Sequence, residues 1–139
     1  MRTLVLDTSV FVSALLGPGG ASREVLRRCL NAEYLPLMGA ALYAEHEAVL
    51  SRERKFARCA LPFNERAELL DAYLRVCRWT KVYFLWRPNL PDESDDHLVE
   101  LAMAGGAEVI VTKNVRDFRA GELKFPGLRI LEPKQLLKE

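Results

Sequence analysis

Apolar residues fall along this chain in two kinds of run. Residues 3–6, 34–38 and 109–111 are short and almost unbroken, the pattern of strands covered on both faces. Between them apolar positions recur at helical spacing. Val25, Leu26, Cys29 and Leu30 share one face of a helix that Ser22 can cap. Leu42, Glu45 and Val49 share a face of a second, which starts at Gly39 and runs on into the charged residues 52–58. Leu69, Leu70, Tyr73, Leu74 and Cys77 form the stripe of a third, capped by Asn64 after a break at Pro62. Another apolar stretch, Val10 to Leu16, is stopped by Gly17-Pro18-Gly19-Gly20. Further on, residues 80–85 predict a strand, and Ser94-Asp95-Asp96 the cap and first turn of a helix that continues through Leu98, Leu101 and Ala102 until Gly105-Gly106. Residues 114–118 read as a turn-rich loop, residues 128–131 as a short strand, and a last helix follows Pro133.

Strands alternating with helices at this pitch imply mostly parallel pairing, because each parallel return needs a crossover. The expectation is one domain over residues 1–139, a three-layer α/β/α sandwich with a mostly parallel central sheet. Loops that follow such strands gather at one edge, where these folds hold their ligands. That edge should bring Asp7 beside the loop from Asn114 to Asp117.

Asp7 ends a wholly apolar strand, where an unpaired carboxylate is costly; it could also be a helix cap. Glu45 lies on the inward face of its helix, where a lone Glu needs a partner, and a salt bridge would supply one. Asp95 and Asp96 sit in a first helical turn, where the helix dipole favours acids whatever their function, and helical phase does not separate them. Asn114 and Asp117 could be turn formers, but the topology sets them next to Asp7. Carboxylates gathered in one place repel by about 4 kcal/mol per pair at 4 Å and an effective dielectric of 20. Something positive must therefore lie among them, and an all-oxygen donor set suits Mg2+ or Mn2+, ions that also bind phosphate. Phosphodiester hydrolysis is the chemistry such a cluster suggests.

Composition narrows this further. The 20 Lys and Arg against 19 Asp and Glu give a net charge of +1, so attraction to a polyanion must come from local patches such as residues 51–58, or Lys113, Arg116 and Arg119. Cys29, Cys59 and Cys77 form neither a CxxC pair nor a zinc spacing, which fits a reducing compartment. The N-terminus imitates a signal peptide until Asp7, and no apolar run reaches membrane-spanning length, so a cytoplasmic protein with no membrane contact is expected. His46 and His97 flank proposed ligands, but neighbouring helical residues point about 100° apart, which argues against either as a general base. The aromatic residues Trp79, Tyr83, Phe84 and Trp86 suit a buried strand or a dimer surface better than base stacking.

The segments LDTSVFVSALL at 6–16, LYAEHEAVL at 42–50, PDESDDHLVELA at 91–102 and VIVTKNVRDF at 109–118 resemble, in this order, the PIN-domain family. The likeness is strongest to its VapC-like branch, the toxins of toxin–antitoxin pairs. It implies an endoribonuclease dependent on Mg2+ or Mn2+, with Asp7, Glu45, Asp96 and Asp117 as catalytic metal ligands. It also implies that Thr8, Ser9, Thr112 and Asn114 position ligands or phosphate, and that the protein works as a homodimer blocked by an antitoxin. The spacing to Thr112 selects Asp96 over Asp95 in that comparison, with Asp92 and Asp95 as substitutes. Ser9 departs from the Asn frequent in this branch. Two rivals stand beside this reading. A phosphatase of the haloacid-dehalogenase kind needs an Asp where Ser9 stands, and a non-catalytic RNA-binding or protein-interaction module would be expected to lack one of the matched acids.

Overall fold

The computed structural model describes residues 1–17, 20–52, 56–57, 59, 61–82, 96–119 and 127–139, without the side chains of Asp96, Asp117 and Arg119. The alternative ligands Asp92 and Asp95, the cap at Ser94, and Tyr83, Phe84 and Trp86 lie outside the described residues.

Five strands, β1 (Arg2–Leu6), β2 (Tyr34–Met38), β3 (Arg78–Trp79), β4 (Val109–Val111) and β5 (Arg129–Leu131), form one sheet in the order β3-β2-β1-β4-β5. Every pairing is parallel. Leu4, Val5 and Leu6 at the centre, and Val109, Ile110 and Val111 beside them, are fully buried. Each such side chain contributes about 1.5–3 kcal/mol relative to exposure, which is why these runs carry no polar alternation. Pro36 has no N–H to give, and pairing between β2 and β3 begins one residue later, at Leu37 opposite Arg78.

The helices are α1 (Thr8–Leu16), α2 (Ala21–Leu30), α3 (Ala40–Leu50), α4 (Phe63–Val76), α5 (Asp96–Gly105), α6 (Val115–Arg119) and α7 (Pro133–Leu137). The chain steps from β1 to β2 to β3 in one direction and then returns past β1 to β4 and β5. Right-handed crossovers in opposite directions place helices on opposite faces. Accordingly α1, α2 and α4 pack on one another, and α5 lies across β1, β2 and β4. The expected α/β sandwich is the fold found, with a wholly parallel sheet.

Several boundaries differ from those expected. Ser22 is buried inside α2 and Gly20 precedes the helix as its cap, while Pro62 takes the cap position expected for Asn64. Helix α3 stops at Leu50 rather than running into residues 52–58. The third strand lies at Arg78–Trp79, although the Thr80 N–H still reaches Met38 O at 2.9 Å, so the ladder touches the start of the expected segment. Part of the expected loop at 114–118 is the short helix α6. Helix α5 ends as expected: Gly106 adopts φ 69° and the Ala107 N–H bonds Ala102 O at 2.8 Å, the six-to-one bond of a Schellman motif.

Candidate active site at the carboxyl edge of the sheet

Parallel strands deliver the residues after their last positions to a common edge. Leu6 pairs with Val111, so Asp7 and Thr112 are the next residues of adjacent strands, and the Asp7 N–H continues the ladder to Val111 O at 2.9 Å. Asp7 is 5% exposed, and Thr112 is wholly buried.

Two hydroxyls hold the Asp7 carboxylate. Thr112 donates to Oδ2 at 2.7 Å and Ser9 to the same oxygen at 3.0 Å. A hydroxyl has one hydrogen, and its direction here is set by what the oxygen accepts. Thr112 Oγ1 accepts the Asn114 N–H at 3.0 Å, and Ser9 Oγ accepts the Lys113 N–H at 3.3 Å. The loop after β4 therefore turns both hydroxyl hydrogens toward Asp7. Neither engages Oδ1, which stays the oxygen for another partner. Asn114 contributes its backbone to this arrangement, and its side chain is exposed.

Glu45 is held in a parallel way. The inward face of α3 is Leu42, His46, Val49 and Leu50, and Glu45 flanks it with a side chain one-third exposed. His97, at the start of α5, donates from Nε2 to Glu45 Oε2 at 3.1 Å. Thr8 stands near this carboxylate and favours its charged form. The His97 bond is the main cause holding the Glu45 carboxyl below its usual range, with partial burial opposing and Thr8 assisting. Glu45 is therefore ionised at neutral pH.

His46 is fully buried between Phe11, at 5.2 Å edge to face, and Tyr73. Its Nδ1 lies 3.0 Å from the Leu42 carbonyl and 3.2 Å from Thr8 Oγ1. A carbonyl only accepts, so Nδ1 carries the proton, and Thr8 Oγ1 then accepts from the ring. Burial pushes the His46 pKa down, which keeps the ring neutral and this tautomer in place.

Of the expected site residues, the structure thus joins Asp7 with Ser9, Thr112 and the Asn114 backbone, and sets Thr8 near Glu45. Asp96 opens α5 next to His97, and Asp117 lies within α6, directly after the loop that holds Asp7. Among the described residues no group of three or more His, Cys, Asp or Glu is close enough to hold a metal. His97 and His46, which helical geometry argues against as general bases, both touch the site. Glu100, one turn beyond Asp96, is 2% exposed and escapes the sequence pattern; the signal available is an acid within the apolar stripe of α5. With His97, Trp79 and Leu101 it lines a cavity of about 610 Å3 beside Glu45's helix. Lys113 and Arg116 are exposed next to the Asp7 loop.

No described helix is long and apolar enough to cross a membrane. Residues 3–116 match the family model described as PIN domain. Among solved structures, VapBC2 from Rickettsia felis, crystallised bound to a DNA fragment from their promoter, is similar with a TM-score of 0.58. It is 16% identical, over 94% of this chain and 98% of that one, a likeness that carries the fold alone. No curated protein matches.

Proposed function

The chain belongs to the PIN-domain family, and from that premise we propose that it is a metal-dependent endoribonuclease acting as the toxin of a toxin–antitoxin pair. The observation that carries this reading is the Asp7 clamp. A buried carboxylate is held by two hydroxyls on one oxygen, at the sheet edge where ligands bind, with a second ionised carboxylate at Glu45 near Thr8 of the same turn.

The donor chemistry fits Mg2+ or Mn2+. Asp7 and Glu45 are carboxylates with their orientation fixed, Asp96 adjoins His97 on α5, and Asp117 stands on α6, which follows the loop that holds Asp7. In this reading all four would hold the cation. When bound, it would polarise the scissile phosphate and lower the pKa of an attacking water. The chain's own residues do the rest. Ser9 and Thr112 fix the rotamer of Asp7, while His97 fixes that of Glu45. Lys113 and Arg116 offer phosphate contacts at the rim, which a net charge of +1 makes necessary. An antitoxin partner, a homodimer and a cytoplasmic setting belong to the same proposal, supported by the family and by the fold shared with VapBC2.

The test is incubation of the protein with mixed cellular RNA in Mg2+ or Mn2+, beside EDTA and the Asp7→Asn variant. Cleavage lost in both controls supports the reading. Tight RNA binding with no cleavage in either metal would favour a non-catalytic module instead.

A further inference from the structure

We propose that His97 is a positioning residue for the active site: it orients Glu45 for the cation by donating from Nε2 to Oε2. This rests on the metal-dependent reading above.

The bond joins α5 to α3 across 52 residues of sequence, at 3.1 Å, with the His97 side chain 13% exposed and that of Glu45 33%. A carboxylate on a helix flank has two free side-chain torsions beyond its first, and solvent on its open side would leave it several rotamers. His97 secures it from α5, and Thr8 stands near it from α1. The His97 bond fixes Oε2, while Oε1 is not engaged by the imidazole. Nε2 is committed to Glu45, and among the described residues the buried Nδ1 has no hydrogen-bond partner. What the imidazole supplies is reach: its Nε2 extends to Oε2 from the residue next to Asp96. The first turn of α5 therefore brings a ligand and the group that aims another ligand in consecutive positions.

The experiment compares His97→Gln with His97→Asn. A glutamine amide reaches the place of Nε2, and an asparagine amide reaches only that of Nδ1; both are polar and similar in bulk to the ring. The readout is the rise in melting temperature of the full chain as Mn2+ is titrated, which tracks native-state binding. Outer-sphere partners typically carry 10- to 100-fold in metal affinity. We expect His97→Asn to weaken apparent Mn2+ affinity by roughly that factor, His97→Gln to restore most of it, and the metal-free melting temperatures of the two to agree. Equal Mn2+ affinity for His97→Asn and the unaltered protein would overturn this inference alone, as would a His97→Gln variant no better than His97→Asn. An unaltered protein that Mn2+ does not stabilise would overturn the metal reading with it.

Discussion

At the scale of single residues, the site depends on hydroxyls whose hydrogens have one place to go. Thr112→Val keeps the shape of the side chain but removes the 2.7 Å donor to Asp7 and strands the Asn114 N–H. Loss of a hydrogen bond to a charged group costs about 1.5–3 kcal/mol. We expect chemical denaturation to register a loss of that size, RNA cleavage to fall about 10- to 100-fold, and Thr112→Ser, which keeps the hydroxyl, to stay close to the starting protein in both. Asp7→Asn should abolish cleavage while leaving the circular dichroism spectrum unchanged; cleavage at the original rate would remove Asp7 from the chemistry. That Asp7 meets the loop after β4 was legible because parallel topology puts the residue after β1 beside the residue after β4, whereas Ser9 and Thr112 were picked out by the family resemblance. His97 was not, for a physical reason. The 100° step between helical neighbours says that His97 points away from Asp96, and says nothing about which element stands where it points.

At the scale of elements, the strands and helices were legible wherever burial forces the pattern. The runs at 3–6, 34–38 and 109–111 could be read because both faces of the central sheet are covered. Residues 80–82 misled because β-branched residues favour any half-buried extended segment, whereas the position of β3 is set by its partner, Leu37 and Met38; residues 83–85 lie outside the described residues. Helix α6 escaped because five residues after a turn signal carry no periodicity to see. Close packing between elements makes its own prediction at Gly105. A Cβ there would stand 2.3 Å from Leu37 Cδ1, on a side chain that is fully buried. Alanine gains about 1 kcal/mol of helix propensity over glycine, but overpacking costs about 1–3 kcal/mol. Gly105→Ala should therefore be neutral to destabilising by up to about 2 kcal/mol in urea denaturation, and a clear gain would show that α5 can shift off β2. Within α2, hydrogen bonds from Arg27 first and Arg28 second hold the Glu24 carboxyl at about 2 instead of 4.5. A lowered folded-state pKa means that this interaction acts in full above the unfolded value and is lost as pH falls from 4.5 towards 2. Carbon-13 NMR of Glu24 should show the depressed midpoint, and Arg27→Ala should move it up. The effect on stability is small, because the pair is exposed to solvent.

For the whole molecule, one core serves both faces of the sheet, and its titratable members report on it. Burial pushes the thiols of Cys29 and Cys77 up to about 12. At pH 8 the thiolate fraction is then about 10⁻⁴, so an alkylating reagent should label Cys29, which is fully buried, only as fast as the protein unfolds. Prompt labelling of Cys29 in the native protein would contradict the packing around it. The central position of β1 has a consequence in time. Its neighbour β4 and the hydroxyl of Thr112 are encoded 105 residues after Asp7. Ribosomes add roughly 5–20 residues per second, so Asp7 waits about 5–20 s for the group that aims it. Until then one side of β1 has no strand beside it, and a chain cut short before residue 109 can hold neither the sheet's full width nor an oriented Asp7. A site arranged in this way comes into being only once the chain has been made as far as Thr112.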